Sequence, residues 1–91
     1  MQVETLMDGN GFPVLTPETF NRARAVTGMR VADLVVRAKG AVAGSTMHAF
    51  ARATKSRLRY LNNREIVTVF KDAGVEFVPA VNRTAPDTAR I

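Results

Sequence analysis

The hydrophobic pattern changes period along the chain, and each change marks an element. Val3-Glu4-Thr5-Leu6-Met7 alternates as a strand does. Asp8-Gly9-Asn10-Gly11 is dense turn chemistry and Phe12-Pro13-Val14 returns, so residues 3–14 read as a short hairpin. Pro13 has no N–H to give to a ladder, which assigns the returning strand to a sheet edge.

Helical spacing begins at Thr16-Pro17-Glu18: a hydroxyl cap, proline in the first turn and an acid beside it. Phe20, Ala23 and Val26 then face inward, Arg22 and Arg24 lie off that stripe, and Gly28 is placed to end the helix. A second helix is expected over residues 31–38, with Val31, Leu34, Val35 and Ala38 at one face. Lys39-Gly40-Ala41-Val42-Ala43-Gly44 breaks it. A third helix, residues 45–53, buries Met47, Phe50 and Ala51 and turns a small or polar face outward.

Residues 54–61 are basic and irregular, with a helical turn expected to bury Leu58 and Leu61. Asn62, with Glu65 three residues on, has the spacing of a capping box for a last helix. That helix turns Ile66, Val69, Phe70 and Ala73 inward and ends at Gly74; Val75-Glu76-Phe77-Val78 alternates as a strand. The tail, residues 82–91, has few apolar groups and Pro86, and is expected to be mobile. The fold class expected is mainly α: four to five short helices around a central helix-turn-helix, with short β-strands at both ends. The divisions are residues 1–14 as an N-terminal extension, 15–79 as the helical domain and 80–91 as a flexible tail.

Composition narrows the function. At 91 residues there is room for one small domain, and 46 % apolar content suits a folded one. The absence of cysteine removes disulfides, thiolate metal sites and cysteine nucleophiles. No secretory signal pattern and no apolar run of membrane-spanning length is visible, so a cytoplasmic protein is expected. His48 is the single histidine and the eight acids are scattered, so neither a metal site nor an enzyme, and no cofactor, is expected. Asp8-Gly9-Asn10-Gly11 lacks the later acids of a calcium loop and reads as a turn. Thirteen Lys and Arg against eight Asp and Glu leave a net charge of +5, which suits a polyanionic partner.

Three stretches resemble the XRE family of regulators, the helix-turn-helix proteins of the lambda-repressor and Cro kind. Leu15-Thr16-Pro17-Glu18, Arg22-Ala23-Arg24-Ala25 and Gly28-Met29 look like the family's first helix and its exit. Asn63-Arg64-Glu65-Ile66 and Phe70-Lys71-Asp72-Ala73-Gly74-Val75-Glu76-Phe77 look like the last helix and short strand of a bacterial subgroup. Between them, Ser45-Thr46-Met47 and Phe50 sit where the recognition helix starts and anchors. The resemblance covers residues 15–79 and implies sequence-specific binding of operator DNA, transcription control by repression or activation, and a mobile-element context. The chain departs from the pattern in a turn longer by about two residues, in Val31 where a polar residue is usual, and in a recognition face poor in long polar side chains.

In that setting, a helix that enters the major groove needs base-contacting side chains, and its surroundings need cations for phosphates. Thr46 and Ala49 suit a thymine methyl, Ser45 and His48 a purine edge, and Arg52 a guanine or a phosphate. Lys55, Arg57 and Arg59 form a basic run directly after the helix, joined by Arg64; Lys39 adds charge beside Gly40 and Gly44, which free the backbone for close approach. A homodimer is expected, because one such motif reads two half-sites through a two-fold partner and a strand with an open edge can recruit another. The alternative is a helix-turn-helix scaffold repurposed for contact with a protein partner, as in an antiactivator or an antitoxin-like protein.

Overall fold

The computed structural model describes residues 1–80. The expected tail, residues 82–91, lies outside them. The elements run β1 (Gln2–Met7), β2 (Pro13–Val14), α1 (Pro17–Thr27), α2 (Val31–Arg37), α3 (Gly44–Ala51), α4 (Tyr60–Asp72) and β3 (Glu76–Pro79). Four helices account for about half of the described residues, and the two ends of that stretch build one three-stranded sheet in the order β2-β1-β3.

β1 is the central strand. It pairs antiparallel with β2, Leu6 opposite Val14, and parallel with β3, Val3 opposite Phe77. The turn between β1 and β2 is held by Asp8, whose Oδ1 accepts from the N–H groups of Asn10 (2.8 Å) and Phe12 (2.9 Å). Pro13 lies in an edge strand, as its missing donor requires. Alternation buries Val3 and Thr5 and turns Gln2 and Leu6 outward. Thr5 is a polar residue in the core: its Oγ1 donates to the Val14 carbonyl (2.8 Å) and lies 3.0 Å from Thr19 Oγ1.

Both free edges of this sheet are restricted. On β2 the outward-facing groups are the Pro13 carbonyl and the Leu15 N–H. The side-chain amide of Asn63 meets both: Oδ1 accepts from Leu15 at 2.9 Å and Nδ2 donates to Pro13 at 2.9 Å. Asn63 thus imitates a neighbouring strand from within a helix. On β3, the N–H groups of Glu76 and Ala80 donate to the Met1 and Thr5 carbonyls of the β1 side. Alternation then sends residues 77 and 79 outward, and since residue 79 is proline, Phe77 carries the one outward N–H of β3.

α1 begins as its sequence dictates. Thr16 Oγ1 accepts from the Thr19 N–H (3.1 Å) and Thr19 Oγ1 accepts from the Thr16 N–H (2.8 Å), so the reciprocal partner is Thr19. The helix ends at Gly28, whose φ of 72° is a left-handed value that favours glycine. Phe20 and Ala23 are buried as expected, but Val26 is 41 % exposed: its position falls beyond the arc that meets the sheet and α3. α2 starts with Val31 buried in the core, and Asp33 Oδ2 accepts from the Arg30 N–H at 2.8 Å. The connection to α3 runs over six residues, 38–43; it turns through left-handed φ at Lys39 (54°) and Gly40 (81°) and drops Val42 into the core.

Three expectations about the second half are corrected. The third helix stops at Ala51 rather than continuing to 53, because Ala53 adopts φ 62°, and Thr54 turns back to cap the end: its N–H and Oγ1 both donate to the Ala49 carbonyl. The last helix starts at Tyr60, two residues before Asn62, so Asn62 and Glu65 form no capping box there. Leu58 is half-buried and packs on the core as expected, whereas Leu61 is 62 % exposed, because it points away from the core in the first turn of α4.

The core is one cluster to which sheet and helices all contribute. Phe20 is its pivot, with edge-to-face contacts to Phe50 (5.3 Å between centroids) and Phe70 (5.9 Å), and Phe70 continues the chain to Phe77. Met47 and Ile66 fill the space around them, and Val3 and Leu15 bring the hairpin into the same cluster.

Candidate nucleic-acid interface

α3 is pinned on its inner face and free on its outer one. Met47 and Phe50 are fully buried, which fixes the helix rotation. At 100° per residue, Ser45, His48, Ala49 and Arg52 then fall within a 100° arc on the opposite side. Ser45, His48 and Arg52 are exposed and Ala49 is half-buried, so these four expected residues share one outward stripe. Thr46 lies at its edge, half-buried.

The far end of α3 is tied to α1. Asn21 Nδ2 donates to the Ala51 carbonyl (2.8 Å), and Asn21 Oδ1 in turn accepts from Arg24 Nη1 (2.8 Å). This contact holds the outward stripe in a set direction. A lone polar residue in an amphipathic helix carried no sequence signal for that role. Arg24 is half-buried, and its Nε is buried with no hydrogen-bond partner among the described residues.

Beside the stripe lies a cleft of about 380 Å³, lined by Ala43 and Thr46 at the start of α3, and by Lys55, Arg59, Leu61 and Asn62 at the approach to α4 and in its first turn. Both helices begin without a side-chain cap, and neither has an acid in its first turn. Their leading N–H groups and the positive ends of two helix dipoles therefore converge on one cleft that also holds a lysine and an arginine. Among the described residues, neither Lys55 nor Arg59 forms an ion pair; the pairs that do form, Arg22–Glu18 and Arg30–Asp33, are local to α1 and α2. Chemically the cleft suits a single compact anion such as a phosphate group.

The basic run does not act as a block. Lys55 and Arg59 line this cleft, while Arg57 lines a different depression against the hairpin. Lys39 borders a third one with Arg37, Val69 and Asp72, at the opposite end of α4. Gly44 is half-buried in the first turn of α3 with an ordinary helical φ, and a Cβ added there would meet Val35 Cγ2 at 3.5 Å, normal contact distance, so the backbone does not demand glycine at that position. Tyr60 and Leu61, exposed at 63 % and 62 %, are not among the expected site residues: Leu61 reads from the sequence as the inward residue of a helical turn, and no spacing signal marks Tyr60.

No helix among the described residues is long and apolar enough to cross a membrane, and no group of acids, histidines or cysteines among them could hold a metal ion. No protein-family model matches the chain, and neither a curated protein nor a solved structure matches it.

Proposed function

We propose that the protein is a DNA-binding transcriptional regulator, a cytoplasmic helix-turn-helix protein of the XRE kind that binds operator DNA as a homodimer. α2 and α3 are the motif. α3 lies in the major groove with Ser45, His48, Ala49 and Arg52 towards base edges, and the cleft beside it grips a backbone phosphate. The observation that carries this reading is the cleft itself: two uncapped helix starts with Lys55 and Arg59, directly next to an outward stripe on which Ser45, His48 and Arg52 are exposed. A groove-reading helix needs such a grip, because phosphate contacts set register and base contacts then discriminate.

The sparse face of α3 shifts the balance toward the phosphates. Only Arg52 and His48 on the stripe are long enough to span to a base edge with directional hydrogen bonds. In this reading much of the affinity is electrostatic and specificity comes from two half-sites at a set spacing.

The test is fluorescence anisotropy with a mixed-sequence duplex, followed by genomic pull-down to find the preferred site. With Lys55 and Arg59 on phosphates, the cleft contributes a slope of about −2 per protomer to the fall of log K with log salt. Lys55→Gln and Arg59→Gln each flatten that slope by about one and weaken all sequences alike, whereas Arg52→Ala relaxes sequence preference. Absence of duplex binding by the wild type, or full binding by the Lys55→Gln/Arg59→Gln double variant, overturns the proposal.

A second reading, a helix-turn-helix scaffold that contacts a protein partner, draws on three exposed apolar side chains: Val36 (75 %), Tyr60 and Leu61. Against it stands the unpaired charge of the cleft, which a purely protein-binding helper has little use for.

A further inference from the structure

A depression of about 490 Å³ opens between the hairpin and the segment that leads into α4. This is within the size range of pockets that take small ligands. Its wall is mostly apolar, made by Leu6 and Val14 of the hairpin, Leu15, and Leu58 of the segment. Leu6 is 55 % exposed, so a large part of an aliphatic side chain on the pocket wall is left facing water.

The polar groups divide into two kinds. Asn63 and Thr16 also line the space, but both side chains are committed to the fold: Asn63 to Leu15 and Pro13, Thr16 to Thr19. Arg57 and Ser56 are not. Among the described residues neither side chain makes a hydrogen bond or ion pair, and both are exposed beside the apolar wall. A guanidinium free to bond, set next to three accessible aliphatic side chains (Leu6, Val14 and Leu58) and one hydroxyl, has the complementarity of a molecule with an apolar body and a single anionic head.

We propose that this pocket binds a small amphipathic carboxylate, its aliphatic part against Leu6, Val14 and Leu58 and its carboxylate on the Arg57 guanidinium, with Ser56 Oγ as a second donor. The site is distinct from the phosphate-sized cleft, which Lys55 and Arg59 line. It shares the segment between them, however, so an occupant that fixes residues 56–58 also fixes the spacing of the two cations on either side. That regulatory consequence rests on the DNA-binding reading; the binding site itself does not.

The test is a titration of the ¹⁵N-labelled full chain with sodium octanoate in the absence of nucleic acid, so that its failure leaves the DNA reading untouched. Octan-1-ol and sodium acetate serve as the body-only and head-only comparisons. Saturable shifts are expected at Leu6, Leu15 and residues 56–58, with octanoate bound at least about tenfold more tightly than octan-1-ol, the effect of a charge-assisted contact. Arg57→Gln removes that tenfold difference and leaves octan-1-ol affinity unchanged, and Leu6→Asp, at an exposed position, weakens both. Lys55→Gln and Arg59→Gln leave octanoate affinity as it was. The proposal is overturned by a titration without saturation, by shifts centred on the α3 cleft, or by equal octanoate affinity of Arg57→Gln and wild type.

Discussion

Asn63 accepts from the Leu15 N–H at 2.9 Å across 48 positions of sequence, and with its other amide end it donates to Pro13. One side chain thus satisfies two backbone groups of the hairpin exit and locks α4 to the start of α1. Asn63→Ala leaves both groups without a partner in a site that is 94 % excluded from water, Asn63 being 6 % exposed. A loss of roughly 2–4 kcal/mol is expected, read as a shift in the urea midpoint. Asn63→Asp keeps the acceptor, loses the donor and sets a carboxylate against the Pro13 carbonyl, so it fares no better than Ala. A loss under 0.5 kcal/mol for Asn63→Ala would contradict the role given to this residue.

Phe20 makes edge-to-face contact with Phe50 and Phe70 and is fully buried. Phe20→Ala is expected to cost roughly 3–5 kcal/mol. That is a large share of the stability available to a domain of this size. The variant should show broad, poorly dispersed amide resonances at 25 °C. Phe20→Leu, which retains most of the volume, should remain folded with a lowered Tm.

Lys39 and Ala53 hold left-handed φ values of 54° and 62° with side chains that disfavour them. A Cβ-bearing residue in that region is strained by about 1–2 kcal/mol, and glycine gives back part of the gain through the freedom of the unfolded chain. Lys39→Gly and Ala53→Gly should each raise stability by up to about 1 kcal/mol in thermal unfolding. Lowered stability in both would show that the turns do not require these φ values.

The carboxyl of Asp33 is held below its ordinary value chiefly by the Arg30 N–H it accepts from, with the guanidinium of Arg30 adding to the effect and that of Arg37 adding less. The folded value is the lower one, so the contribution to stability is present above the unfolded value and lost as pH falls through the folded one. In urea titrations at a series of pH values, wild type should lose stability below about pH 4, where carboxyls begin to protonate. Asp33→Asn should flatten the profile over that interval and leave it unchanged above pH 6. Profiles of identical shape would remove Asp33 from the account.

Local chemistry was readable, and its limits have a physical form. Thr16-Pro17 and Gly28 mark the ends of α1 because caps and left-handed termini depend on a few neighbouring residues. Met47 and Phe50 set the inner face of α3, so its outer stripe could be named from spacing alone. The start of α4 was misplaced because an asparagine bonds backbone groups in the same manner whether they are local or remote. Asn62 offered cap chemistry, whereas its neighbour Asn63 is the one that bonds backbone, and the backbone it serves is the hairpin exit. Spacing alone also assigned Val26 and Leu61 inward, since a helical stripe says nothing about how far the neighbouring element reaches. The cleft was partly legible: the cations were expected near α3, but not that two helix starts would meet there, nor that Arg57 would separate from Lys55 and Arg59.

The middle strand of the sheet comes from the first residues of the described chain and its parallel neighbour from the last, with Gln2 opposite Glu76. During synthesis β1 therefore waits, with one edge of its backbone open to strand pairing, until β3 has left the ribosome. The helices can form early from nearby contacts, but the sheet closes as a late, long-range step, and such steps slow folding. For this protein, the interval between first emergence and sheet closure is when a chaperone would matter and when nascent copies mispair most readily.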